Sequence, residues 1–136
     1  MTSSQPIKSL FANDIHRRIE EVIKVDQTDQ EIIREEISEY VVTGAIKHHY
    51  ADIFDSYAET PNKSHEGIAI WVSGFFGSGK SSFAKMLGLS IANRKIDGVL
   101  AGERFAQRVG DGKPQVLLRN INEKIPTHAV IFDVST

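Results

Sequence analysis

Apolar positions recur at helical spacing through the first half of the chain and gather into two continuous runs in the second. Ile32, Ile33, Ile37, Tyr40 and Val41 fall on one helix face, and Ile46, Tyr50, Ile53, Phe54 and Tyr57 fall on another. Thr28 followed by Glu31 has the form of a capping box that opens the first of these helices. Thr43-Gly44 separates the two, and a short joint between two amphipathic helices predicts a helical hairpin. Glu35, Glu36 and Glu39 lie off the apolar stripe and read as a solvated face. Further upstream, Ile15, Ile19 and Val22 or Ile23 fit a helix, while Val22-Ile23-Lys24-Val25 fits a short strand equally well. His48 and His49 project about 100° apart on a helix, which favours polar surface over a metal site.

Residues 60–66 form a polar linker and the best internal boundary. Beyond it, Gly67-Ile68-Ala69-Ile70-Trp71-Val72-Ser73 reads as a buried strand. A helix then runs through Leu87 and Leu89, with Gly88 either inside it or ending it early. Asp97-Gly98 is a turn. Val99, Leu100, Phe105 and Val109 suit a short helix, broken at Gly110-Asp111-Gly112-Lys113-Pro114. Val116, Leu117, Leu118, Ile121 and Ile125 suit another, stopped before Pro126. Ala129-Val130-Ile131-Phe132-Asp133-Val134 is a second strand-like run. Two apolar strands linked through helices predict an α/β fold with a parallel sheet joined by a right-handed crossover. A sheet averages about five strands, so the expectation is a helical N-terminal region, 1–66, followed at 67–136 by the first part of a P-loop NTPase core, truncated relative to a whole domain.

Between the first run and its helix stands Gly74-Phe75-Phe76-Gly77-Ser78-Gly79-Lys80-Ser81, which fits G-x-x-x-x-G-K-[ST], the phosphate-binding P-loop. The chemistry accounts for each residue type. Gly74, Gly77 and Gly79 permit left-handed dihedrals and close approach of a phosphate, and the backbone N–H groups of the loop form an anion-binding nest. Lys80 is expected on the β- and γ-phosphates, Ser81 on Mg²⁺, and Ser82 nearer the α-phosphate. Phosphate chemistry does not require Phe75 and Phe76, which are expected to pack the loop against neighbouring segments. Asp133, at the end of an apolar run, reads either as a Walker B metal carboxylate or as an acid closing a neighbouring strand.

Composition adds few constraints. The chain has 136 residues, 40% hydrophobic and 25% charged, with a formal net charge of -2. That balance supplies no global attraction to nucleic acid or anionic membrane. With no cysteine, thiolate metal sites and disulfides are excluded, which is compatible with a cytosolic protein. The opening residues lack the apolar core of a signal peptide, and no uncharged apolar run is long enough to span a bilayer.

Three stretches carry a family resemblance. Asp14-Ile15-His16-Arg17-Arg18-Ile19-Glu20-Glu21-Val22-Ile23-Lys24-Val25-Asp26, the Glu39-Tyr40-Val41-Val42-Thr43 joint, and residues 71–83 around the phenylalanine-containing P-loop resemble the N-terminal region of the large P-loop ATPase of BREX phage-defence systems, the BrxC/PglY type. The resemblance implies an AAA+-like fold, ATP and Mg²⁺ as ligands, and a cytoplasmic role beside a DNA methyltransferase and other defence proteins, with DNA contact through the assembly. It also implies a longer protein, whose acidic Walker B strand with a following glutamate lies well beyond this point, so Asp133 becomes the neighbouring-strand acid. This chain holds no candidate for that glutamate, so the resemblance implies ATP binding here and hydrolysis in the full-length protein. The rival class is an adaptor-like remnant whose P-loop is idle and whose helices act through protein contacts.

Overall fold

The computed structural model describes residues 6–16, 24–63 and 67–132. Its described residues are mostly helical: α1 Gln30–Glu39, α2 Gly44–Ala58, α3 Lys80–Ala92, α4 Ala101–Val109 and α5 Lys113–Lys124, with short 3-10 turns at Ile7–Leu10 and Thr60–Asn62. A two-stranded antiparallel ribbon, β1 Lys95–Ile96 and β2 Val99–Leu100, pairs Lys95 with Leu100 and Ile96 with Val99 across the Asp97-Gly98 turn. The start of α1 differs from the expected capping box. Asp29, not Thr28, is the N-cap, and its carboxylate accepts from the N–H groups of Glu31 and Ile32. Thr43 caps α2 through a bond from the Ile46 N–H (3.3 Å). The expected break after Val109 falls at Gly110-Asp111-Gly112, and Lys113 and Pro114 already belong to the first turn of α5, where the missing proline N–H costs nothing.

The parallel sheet is contradicted. Among the described residues the antiparallel ribbon is the whole of the β-structure, and neither strand-like run joins a ladder. Residues 67–79 are exposed throughout, and the chain there is irregular up to α3. The second run explains why an apolar sequence was misleading. Ala129 and Ile131 are half-buried while Val130 and Phe132 are exposed. A Cβ on Gly88 would meet Ile131 Cδ1 at 2.8 Å and Ala129 Cβ at 3.9 Å. The segment therefore packs alternate side chains on α3 at a glycine-made notch. Such one-sided packing at the surface needs no strand partner, because water satisfies the backbone. Gly88 continues α3 rather than ending it. Asp133 lies outside the described residues, as do residues 17–23 of the resembling N-terminal stretch.

The core is helical and draws on both sides of the 60–66 linker. Ile33 and Ile37 of α1, Tyr50 and Phe54 of α2, Met86 and Leu89 of α3, Phe105 and Val109 of α4, and Leu118 and Ile121 of α5 are buried in one cluster. The two N-terminal helices do not pair chiefly with each other: α1 packs on α4 and α2 on α5. Arg108 closes the end of α1 by donating to the Tyr40 carbonyl through Nε (3.2 Å) and Nη2 (3.0 Å). Arg34 reaches Asp97 in the ribbon turn at 2.8 Å.

Tyr50 is fully buried at the centre. Its ring stacks on Phe83 with centroids 4.5 Å apart and meets Phe105 edge-on at 4.9 Å. Its hydroxyl donates to the Phe83 carbonyl (3.1 Å) and lies 3.3 Å from the Tyr40 hydroxyl. Burial, assisted by the Tyr40 hydroxyl, pushes the Tyr50 phenol far above its ordinary pKa and keeps it neutral.

Glu36, expected on a solvated face, is turned inward. Its carboxylate meets the ammonium of Lys85 at 2.5 Å, with the two side chains 10% and 1% exposed, and Lys85 also donates to the Lys24 carbonyl (2.7 Å). Removing one partner of a buried pair leaves a charge without compensation, which costs about 3–5 kcal/mol. Lys85→Ala is expected to lower the unfolding free energy by about that amount in urea melts. Glu36→Leu/Lys85→Met is expected to recover most of it, since apolar replacement of both partners is close to neutral. A double variant as unstable as the single one would contradict this account of the pair.

Candidate functional site

The site is built around the start of α3. Gly79 sits in the left-handed region at φ 86° and passes the chain directly into the helix, and no side chain caps that end. The first intrahelical bond runs from Phe83 N–H to the Gly79 carbonyl (2.9 Å). The N–H groups of Lys80, Ser81 and Ser82 precede it, and with the helix dipole they make this end anion-attracting. Gly77, also left-handed at φ 77°, turns the loop, which is closed by Ser78 N–H donating to the Phe75 carbonyl (3.2 Å). At Gly74 the Ser78 hydroxyl packs close to the backbone, 2.7 Å from where a Cβ would stand.

Lys80 is folded back into its own loop, with Nζ donating to the carbonyls of Gly74 (2.8 Å) and Phe75 (2.7 Å). These two bonds fix the ammonium at the mouth of the loop. They are also bonds that any anion recruiting this ammonium has to replace.

The loop forms one wall of a groove of about 870 Å³, within the size range of small-molecule sites. Gly74, Phe75, Gly77, Ser78, Gly79, Lys80 and Ser82 stand on that wall, with Phe83 and Met86 behind them. The opposite wall is helical: Glu36 and Glu39 of α1, the Tyr40-Val41 joint, and Ile46, His49 and Asp52 of α2. Trp71 lines the same groove.

The structure thus brings together seven of the nine residues that the sequence singles out. The other two stand apart. Phe76 is fully exposed and does not line the groove, and Ser81 is exposed on the first turn of α3 outside the groove lining. Phe75 is 90% exposed, so neither phenylalanine packs the loop against a neighbour, contrary to expectation. His48 faces Asp52 at 3.5 Å, and no group of three or more metal-ligating side chains occurs among the described residues.

Sequence reading missed the helical wall and the Glu36–Lys85 pair. Only a weak signal for the pair was present: Glu36 stands three residues after the buried Ile33 and Lys85 four before the buried Leu89, so each charge borders an apolar stripe. The groove's far wall had no such signal, because it depends on where α1 and α2 lie relative to the loop.

Comparison with known proteins finds no family model and no solved structure that matches this chain.

The loop's dependence on glycine can be measured. Gly79→Ala places a Cβ in the left-handed region, at a cost of about 1–2 kcal/mol. Gly44, at the start of α2, has open space around its Cβ position, and Gly44→Ala is expected to leave stability unchanged or raise it by about 0.4–1 kcal/mol. Urea denaturation of the two variants separates them, and equal effects would contradict the loop geometry.

Proposed function

We propose that this chain is an ATP-binding component of a bacterial phage-defence assembly, acting in the cytoplasm with Mg²⁺ as co-ligand. The reading rests on the phosphate loop and not on a nucleotide-binding sheet. The observation that carries it is the glycine loop feeding an uncapped helix N-terminus, with the Lys80 ammonium held at its mouth on the wall of a groove. Left-handed Gly77 and Gly79 aim the backbone, the first-turn N–H groups and dipole of α3 receive negative charge, and Lys80 contributes a cation held beside them. Those donors fit a polyphosphate. Ser81, exposed on the first turn, would hold Mg²⁺, and the metal would neutralise phosphate charge. The sequence resemblance supports the defence context and, with it, other defence proteins and DNA as partners of the assembly. No helix among the described residues is long and apolar enough to cross a membrane.

A second reading is favoured by the exposure of Phe75 and Phe76 and by the internal bonding of Lys80: an idle loop on a protein-contact module. Calorimetry with Mg-ATP separates the two. A charge-assisted bond is worth about 1.5–3 kcal/mol, so Lys80→Ala is expected to weaken binding roughly 10–100-fold. In a phage-restricting strain the same substitution in the full-length gene is expected to restore plaque formation. Equal ATP affinities for wild type and variant would favour the idle loop.

A further inference from the structure

The phosphate loop occupies one wall of the groove, and the rest of the groove is unassigned. We propose that it takes the nucleoside end of the ligand, with a purine ring stacked on Trp71. This rests on the phosphate-binding reading above and adds to it where the base goes and which residue holds it.

Three observations carry the inference. First, Trp71 is 91% exposed while it lines the groove. A large, flat apolar ring left in water beside an anion site is a stacking platform awaiting a partner, and base–aromatic stacking tolerates any base but gains with ring area. Second, the reach is right. Two residues, Val72 and Ser73, lie between Trp71 and Gly74, so their Cα atoms are at most about 10 Å apart, which keeps Trp71 within reach of the base of a nucleotide whose phosphates lie on the loop. Third, the two walls differ in chemistry. The loop part of the lining offers N–H donors and an ammonium, whereas α1 and α2 contribute the carboxylates of Glu39, which accepts from Asn13, and Asp52, which faces His48, with His49 beside them. Carboxylates repel phosphate and accept hydrogen bonds from hydroxyl and amino groups. A ligand with a polyanionic end and a neutral, donor-bearing end is therefore oriented with phosphates on the loop and sugar and base toward Trp71 and α2. Inorganic polyphosphate satisfies only the first half of the groove.

Trp71 is the sole tryptophan of the chain, so its fluorescence reports on this contact alone. The test is titration with Mg-ATP, Mg-CTP and Mg-tripolyphosphate, followed by tryptophan emission and calorimetry, on wild type and, by calorimetry, on Trp71→Ala. ATP is expected to bind more tightly than tripolyphosphate and to quench Trp71, with CTP quenching less. Trp71→Ala is expected to weaken ATP about 10-fold and leave tripolyphosphate unchanged. Because Trp71 is outside the core, the variant is expected to keep the wild-type melting temperature. If ATP and tripolyphosphate bind equally without quenching, the inference is overturned while the phosphate loop stands. If Trp71→Ala weakens both ligands alike, Trp71 acts on the loop and not on the base, which also overturns it. If ATP and CTP quench equally, the purine preference is wrong. If no ligand binds, the phosphate-loop reading fails and this inference with it.

Discussion

The bond from the Tyr50 hydroxyl to the Phe83 carbonyl joins α2 to the first turn of α3 from inside the core. Phe83 is the residue whose N–H makes the first intrahelical bond of that helix, to Gly79. One buried phenol thus holds the end of α3 from which the loop departs. The stacking of Tyr50 on Phe83 and its edge contact with Phe105 bring α4 into the same arrangement. Lys85, two residues further along α3, is tied to Glu36 of α1. The start of α3 is therefore fixed from two directions by the N-terminal helices, and these helices also line the groove. Loop and wall are parts of one packed unit, so a ligand spanning them touches groups whose spacing the core has already set.

That arrangement places rigid and adaptable parts in useful positions. A helix N-terminus held by its own core needs little reorganisation when an anion arrives, which favours affinity. The residues before it, 67–79, lie exposed and carry the aromatic side chains. Lys80 lies between the two regimes, anchored on a helix but bonded to loop carbonyls. A phosphate bound as proposed would exchange those two neutral acceptors for charged oxygens, a stronger contact for an ammonium.

The helices were legible because amphipathic stripes carry their own evidence. The spacing of Tyr50 and Phe54, and of Ile33 and Ile37, already marked the buried faces. Asp97-Gly98 announced its turn, and the glycines at 77 and 79 announced the left-handed turns that lead into α3. The sheet was misread because an apolar run says that side chains are covered and nothing about backbone pairing. Ala129 and Ile131 are covered by α3, and in the run at 67–73 Ile68, Ile70 and Val72 are 42%, 45% and 37% exposed while Trp71 is 91% exposed, with no ladder partner among the described residues. Charge gave the opposite error. Glu36 read as part of a solvated face, and only its meeting with Lys85 in space makes either charge tolerable inside.

The central claim is that the loop and the first turn of α3 receive phosphate. Amide chemical shifts measured residue by residue, with Mg-ADP added to isotopically labelled protein, test it most directly. The account predicts that the largest shifts fall on the N–H groups of Gly77, Gly79, Lys80, Ser81 and Ser82, while those of α5 remain in place. Saturable shifts confined to α5 or to the ribbon, with the loop amides unmoved, would contradict it.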